Sequence, residues 1–373
     1  MESMGLRAFG DVFRGKKVLV TGHTGFKGSW LALWLHELGA EVTGLALPPD
    51  TAPSHFELIG LRDIVNHIEG DIRDSHVVDK AFKASEPEIV FHLAAQALVR
   101  DSYDDPKKTF DTNIGGTVNI LEAVRAFSSV KAAVVITSDK CYENKECVWG
   151  YRENDPMGGY DPYSASKGAT EIVCSAYRRS FFDKTGRGPH IGFATVRAGN
   201  VVGGGDWAKD RIIPDCIRAL SENKAIVIRN PNATRPWQHV LDPLSGYLFL
   251  AQQLLNDPKR FSGAWNFGPA DIEHINVEEL AKRFVAAWGE GSIETVKSNQ
   301  SAPHEANLLR LSIDKAAYEL GWFPVLNGST AIDWTVNWYK DWQEDDKKLR
   351  ETSLDQVHEY TGIALKKNAR WAK

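Results

Sequence analysis

Short uncharged runs rich in β-branched residues alternate along the chain with longer stretches whose apolar residues recur every three or four positions. Lys17-Val18-Leu19-Val20-Thr21 reads as a first buried strand. A helical pattern follows, with Leu31, Leu35 and Leu38 on one side and Gly39 as its stop. Residues 41–47 read as a second strand, a third ends before Gly70, and residues 89–96 hold a fourth with a small-residue end. Residues 110–127 read as a helix in which Gly115-Gly116 marks close packing. The fifth strand, Val134-Val135-Ile136-Thr137, ends abruptly in Ser138-Asp139-Lys140. Tyr160 opens a long helical stretch that ends near Phe182, and residues 191–200 read as a sixth strand. This alternation predicts an α/β fold with a doubly wound parallel Rossmann sheet.

Beyond residue 203 the rhythm changes to loops carrying basic and aromatic residues, among them Arg211, Arg229, Arg235, Trp237 and His239. We read residues 15–202 as a dinucleotide-binding Rossmann domain to which residues 232–268 return. Residues 203–231 and 269–345 read as a smaller α/β substrate domain. Trp334, Trp338 and Trp342 recur every four positions, a stripe that packs a terminal helix more often than it binds a ligand. Residues 346–373 are polar and read as a partly loose terminal tail.

Composition narrows the function classes. The 373 residues are 43% hydrophobic and 25% charged, ordinary for a soluble globular protein. A net charge of -5 and the lack of a long Lys/Arg block argue against nucleic acid as a partner. No apolar run is long enough to span a bilayer and residues 1–14 lack a signal-peptide core, so the cytoplasm is the expected location. Cys141, Cys147, Cys174 and Cys216 form no CxxC, which argues against both a disulfide framework and a zinc site; no metal is expected.

The chemistry starts at the first turn. Gly22, Gly25 and Gly28, spaced GxxGxxG between strand and helix, suit a tight turn, close approach of a pyrophosphate and a helix packed on the strand. The helix start offers free N–H groups to phosphates. We therefore take Gly22, His23, Thr24, Gly25, Phe26, Lys27 and Gly28 as a cofactor loop. No Arg or Lys stands near Leu47-Pro48-Pro49-Asp50, which favours NAD over NADP. Asp71, beside Ile72, either meets the adenine edge or caps the next helix. Leu93, Ala94 and Ala95 let a flat cofactor lie against the backbone. Tyr163 and Lys167 are one helical turn apart, so an ammonium there lowers the phenol's pKa. Ser138, Asp139 and Lys140 put a hydroxyl, a carboxylate and an amine at a strand's carboxyl end, where ligands sit in open parallel sheets.

Together, the GxxGxxG loop, the serine after the fifth strand and the YxxxK pair resemble the extended short-chain dehydrogenase/reductase superfamily over residues 15–345. Within it the chain looks like the nucleotide-sugar 4,6-dehydratases. Thr21 to Trp30, Ser138-Asp139-Lys140-Cys141-Tyr142 and Arg197 to Trp207 are closest to the branch acting on CDP-glucose. The resemblance implies bound NAD and a nucleotide sugar as substrate. It assigns C4 oxidation to Tyr163 with Lys167 and Ser138, and loss of water to Asp139. Where the family usually carries Glu as the C5 base, this chain has Lys140, either the base itself or a stabiliser of enolate charge. The resemblance also places Gln96, Arg100 and Asn113 near the sugar or cofactor. It places Asn200, Asp206, Trp207, Arg211, Arg235, Gln238 and His239 around the nucleotide diphosphate. It further implies a homodimer or dimer of dimers and deoxysugar supply to surface polysaccharide such as lipopolysaccharide. A dTDP- or GDP-linked dehydratase is the nearest alternative. A nucleotide-sugar 4-epimerase has no use for Asp139 and Lys140.

Overall fold

The computed structural model describes residues 6–183, 191–209, 211–228, 231–232, 237–270, 276–296 and 308–373. The strands are β1 (Lys17–Thr21), β2 (Glu41–Ala46), β3 (Asn66–Glu69), β4 (Ile89–His92), β5 (Ala132–Ile136), β6 (Gly192–Ala198), β7 (Val201–Val202), β8 (Ile226–Ile228), β9 (Gln238–His239), β10 (Gly263–Phe267) and β11 (Ile293–Thr295). Seven of them form one sheet in the order β10-β6-β5-β4-β1-β2-β3, parallel at every pairing. Strand order reverses between β1 and β4, and the crevice at their carboxyl ends is where such sheets bind ligands.

The helices are α1 (Phe26–Glu37), α2 (His55–Leu58), α3 (Ser75–Ser85), α4 (Val99–Asp104), α5 (Pro106–Phe110), α6 (Thr117–Ala126), α7 (Pro162–Tyr177), α8 (Ile212–Ser221), α9 (Leu241–Asn256), α10 (Pro258–Phe261), α11 (Val277–Trp288), α12 (Gly328–Glu344) and α13 (Leu349–Lys366). The two-residue period of the strands decides which helices meet which face. Leu19, Val90, Ala133 and Val135 point to the side covered by α3, α6 and α7. Val18, Val20, Phe91 and Val134 point to the side covered by α1 and α9. Both faces are buried, which is why these strands read as unbroken apolar runs.

Beyond the sheet, β8 pairs with β11 and β7 with β9, both parallel. β10, far along the chain, pairs with β6 as the sheet's edge. The expected helix over 110–127 is interrupted: a π-helical turn, Asp111–Gly116, sits between α5 and α6. Another, Arg178–Phe182, extends α7. Trp334 and Trp338 are buried, so the tryptophan stripe packs α12.

The expectation of a loose terminal tail is not met. α13 lies against α1 and α12, and Tyr360 and Trp371 are buried. Trp371 stacks on Phe9 at 5.1 Å and on Tyr360 at 5.6 Å, and Trp34 meets both edge-on. The buried stripe of α13 includes Ser353, Gln356 and Thr361. Each makes an internal hydrogen bond: Ser353 Oγ accepts from Trp338 Nε1 at 2.9 Å, Gln356 donates to the Trp334 carbonyl, and Thr361 donates to the Val357 carbonyl, while Gln356 Oε1 is buried without a partner. A polar helix can therefore bury one face with its side-chain donors taken up internally.

Candidate active site

The glycine loop closes where the sequence places it. Gly22 has φ +76, and a Cβ there would lie 2.6 Å from the backbone N of Ala94 at the end of β4. A Cβ on Gly28 would lie 2.1 Å from the Gly22 carbonyl oxygen. Both positions therefore require glycine. Gly25 precedes α1, and no side chain caps that helix start. Its first N–H groups suit a diphosphate. Leu93, Ala94 and Ala95 are half-buried opposite this loop. The loop, the uncapped helix and the small residues together fit a dinucleotide.

Other members of the predicted cofactor set are placed more sharply. Asp74, not Asp71, caps α3, accepting from His76 N at 2.9 Å. Asp71 pairs with Arg73 at 2.6 Å, which holds its carboxyl below the usual range. Ile72 is buried against Gly116, where a Cβ would meet its Cδ1 at 2.5 Å. Thr24 donates to the Leu47 carbonyl at 2.8 Å, tying the loop to the end of β2. His23 is buried over Gly44 and bonds His67 at 2.7 Å; burial lowers its pKa to about 3. Phe26 is half-buried against Gly203, whose added Cβ would lie 3.3 Å from its ring. Lys27 sits 5.9 Å from the Tyr247 ring centroid. Burial, then Arg211, lower its pKa to about 8, while Asp139 opposes the shift.

At the end of β5, Ser138 caps a short 3₁₀ turn, Asp139–Cys141, by accepting from Lys140 N at 3.2 Å. That cap turns the chain so that three polar side chains follow an apolar strand. Ser138 Oγ donates to Asp139 Oδ1 at 2.9 Å, and Lys140 Nζ stands 3.9 Å from the same oxygen. Ser138 and Asp139 are buried, and Lys140 is half-exposed. α7 starts under the control of Asp161, which accepts from Ser164 N at 2.9 Å, with Pro162 in the first turn. This start brings Tyr163 to Ser138, whose hydroxyl hydrogen-bonds the phenol.

Tyr163 corrects one expectation. Its pKa is raised to about 12 by burial, with Asp139 adding to the rise and the Ser138 hydrogen bond opposing it. Lys167 donates to the Ile136 carbonyl at 3.3 Å, and burial lowers its pKa to about 8 against the pull of Glu171. Spacing predicts a phenol pulled down by the lysine; complete burial instead raises the phenol and lowers the amine.

The remaining predicted residues divide. Arg211 pairs with Asp206 at 3.0 Å, and this carboxylate raises the guanidinium's pKa. Gln96 donates to the Leu98 carbonyl, and its own side-chain oxygen is buried without a partner. Gln238 donates to the Phe267 carbonyl at 3.3 Å, and its side-chain oxygen is likewise unpartnered. Asn200 is half-buried just past β6, and Arg100 is exposed on α4.

Three assignments change. Asn113 is buried in the π-helical turn, accepting from Gln96 N and donating to Gln96 O and Ser166 Oγ, so its amide holds the loop after β4. Trp207 is buried against Tyr339 and Trp342 and offers no open face to a base. His239 is buried between Trp30 and Trp334, neutral with its pKa lowered to about 3 by burial, and is a poor diphosphate partner. Arg235 lies outside the described residues. Among the described residues no cluster of three His, Cys, Asp or Glu could hold a metal. No helix among them is long and apolar enough to cross a membrane.

Sequence reading missed the group behind Lys167. Glu171 lies one further turn along α7, buried, and pairs with Arg197 of β6 at 2.8 Å. The signal was its spacing, a second i+4 step on the face that carries Tyr163 and Lys167.

A family model described as the NAD dependent epimerase/dehydratase family matches residues 18–268. A CDP-glucose 4,6-dehydratase of Salmonella typhimurium is 52% identical over 333 residues, covering 89% of this chain and 92% of the relative. A CDP-paratose 2-epimerase of Salmonella typhi is 28% identical over 71% of this chain and 82% of its own length. Among solved structures, dTDP-glucose 4,6-dehydratase of Streptomyces venezuelae, with NAD bound, superposes with a TM-score of 0.73 at 21% identity. It covers 89% of this chain and 99% of that one. UDP-glucose 4-epimerase of Thermotoga maritima, with UDP-glucose, gives 0.73 at 21% identity, covering 87% and 98%. At these identities the two structures share the fold.

Proposed function

The chain belongs to the NAD dependent epimerase/dehydratase family, and on that premise we propose that it converts CDP-glucose to CDP-4-dehydro-6-deoxyglucose and water. The observation that carries the reading is the meeting of the carboxyl end of β5 with the first turn of α7. The Tyr163–Ser138 contact suits oxidation at C4, and Asp139 and Lys140 beside it suit elimination across C5 and C6. The 52% identical relative supports the cytidine nucleotide.

NAD fits the Gly22–Gly28 loop, the uncapped start of α1 and the small residues 93–95; when bound it supplies the site that takes a hydride from C4 and returns it to C6. The protein's own groups do the rest. The Tyr163–Lys167 pair, once it has lost one proton, accepts the proton of the C4 hydroxyl. Ser138 donates a hydrogen bond to the developing C4 carbonyl oxygen. That carbonyl acidifies C5–H. Lys140 takes the C5 proton when neutral, or as an ammonium stabilises the enolate charge. Asp139, when protonated, gives its proton to the departing C6 hydroxyl, and water leaves. Each correctly placed proton transfer contributes roughly 10²- to 10⁴-fold. On this reading Gln96, Asn200, Gln238 and the Arg211–Asp206 pair hold the nucleotide sugar, an assignment the unpartnered side-chain oxygens of Gln96 and Gln238 support. Tyr103, Phe110 and Ile172 leave apolar surface on α4, α5 and α7, which supports pairing of two copies through these helices. Both ligands are metabolites of the cytoplasm, and the product suits deoxysugar supply to lipopolysaccharide.

Incubation with CDP-glucose, followed by alkali, tests the reading through the absorbance of a 4-keto-6-deoxy sugar. The expected result is a signal with CDP-glucose at least tenfold above dTDP- or GDP-glucose. Equal or greater turnover of another nucleotide sugar overturns the substrate assignment, and a changed C4 configuration without dehydration overturns the reaction.

A further inference from the structure

We infer that Glu171 is a positioning residue of the reaction centre: a buried carboxylate that keeps Lys167 able to carry an ammonium and joins the ends of β5 and β6 beneath Ser138. The inference rests on the proposed dehydratase reading. Glu171 is 4% exposed, as is its partner Arg197. Its two oxygens are fully used. Thr137, the residue before Ser138, donates to Oε1. Thr195 Oγ1 donates to Oε2 at 2.8 Å, and so does Arg197 Nη2 at 2.8 Å. One carboxylate thus links α7, the end of β5 and β6.

The arrangement is more elaborate than a fold needs. A buried ion pair alone contributes little net stability, since desolvation offsets much of the attraction. Here the carboxylate has a second cation to serve. Lys167 is buried one turn away on the same helix and donates to the Ile136 carbonyl. A neutral amine is the natural state of a lysine so placed. A phenolate at Tyr163, however, needs an ammonium beside it. Glu171 supplies the opposing charge. Burial alone would raise its own pKa, but the charge of Arg197 and the hydrogen bonds of Arg197, Thr137 and Thr195 bring it below the usual range. It is therefore a carboxylate at neutral pH.

Arg197 is held in turn. It donates to the Tyr142 hydroxyl at 2.7 Å and to the Glu153 carbonyl at 3.0 Å, and Tyr142 donates to Asn266 Oδ1 at 2.8 Å. The clamp therefore reaches the edge strand β10. Other titratable groups around Lys167 do not replace Glu171. Cys141 and Cys174 are thiols whose pKa burial pushes well up, and His92 is neutral, its pKa lowered to about 3 by burial. Lys27 is a further cation. Tyr163 is the group Lys167 serves.

The test compares Glu171→Gln, Glu171→Asp and Thr195→Val with the wild type, using CDP-glucose turnover and the Nζ resonance of ¹⁵N-lysine-labelled enzyme, with Lys167 assigned by its loss in Lys167→Met. In Glu171→Gln the acid limb of kcat/KM and the Nζ titration both move down by roughly one to three pH units, the effect of removing an opposite charge at short range. Glu171→Asp restores most of the shift. Thr195→Val removes one hydrogen bond and keeps the charge, so its limb stays in place. If Glu171→Gln is too unstable, the double variant Glu171→Gln/Arg197→Met, which also removes the unpaired Arg197 charge, is expected to shift the limb and the resonance in the same direction by a smaller amount. Loss of rate with limb and resonance unmoved overturns the inference, leaving Glu171 purely structural. Failure of the wild type to turn over CDP-glucose overturns the dehydratase reading instead, while the Nζ titration still reports on the pair.

Discussion

Tyr163 keeps its proton well into the alkaline range, while Lys167 loses its own near pH 8. The two titrate as a pair, and the first proton to leave on raising the pH comes from the amine. We expect kcat/KM to rise through about pH 8, and a flat profile from pH 6 to 9 would remove the pair from the rate-determining protonation. Tyr163→Phe should reduce turnover by at least roughly 10²-fold while leaving nucleotide binding unchanged, checked by steady-state kinetics and calorimetry. Lys140 poses a separate question. Lys140→Ala should still oxidise C4 but lose exchange of C5–H with deuterated solvent, read by mass spectrometry; unimpaired exchange excludes it as the base. Sequence made these residue types and their spacing legible. It left open which way each side chain turns. His239 and Trp207 carry the right chemistry for a nucleotide, but β9 and the packing of α12 turn them inward. Asn113 was legible as a polar residue near the site, and the π-helical turn that redirects its amide toward Gln96 was not.

At the scale of elements, the glycine loop, β5 and α7 follow directly from apolar runs ended by glycine or by a capping residue. α13 was hidden because half of its buried stripe is polar, so no hydrophobic period stands out. Its hold on the body is aromatic. Phe9, Trp34, Tyr360 and Trp371 form one cluster, and Gly10 N donates to the Lys373 carbonyl at 3.1 Å. Trp371→Ala should therefore cost about 3–5 kcal/mol, the range for deleting a buried large aromatic ring, measured by urea unfolding. A loss below 1 kcal/mol would mean that the cluster repacks without it.

The whole molecule carries an acid liability. His23, His55, His92 and His239 are buried, and burial lowers each pKa from 6.5 to about 3. Below pH 6.5 the unfolded chain binds these protons and the folded chain does not. Their contribution is thus complete above pH 6.5 and lost progressively as pH falls toward 3. Each costs up to about 1.4 kcal/mol per pH unit in that window. Asp242 and Glu153 act in the opposite direction, since burial raises both, Asp242 from 3.8 to about 6, but they are two carboxyls against four histidines. The Tm should fall steadily below pH 6.5, and a constant Tm between pH 7 and 5 would show that the histidines are not held neutral.

The edge strand β10 bears on how this protein can be cut. It is made after the excursion through β7, β8 and β9, yet it alone covers the outer side of β6. A fragment ending at residue 202 would leave the backbone donors and acceptors of β6 unpaired along an apolar strand, a template for joining other chains. The cofactor half is thus no independent module: expressed alone it should self-associate through that edge, and soluble dissection requires β10 to travel with β6.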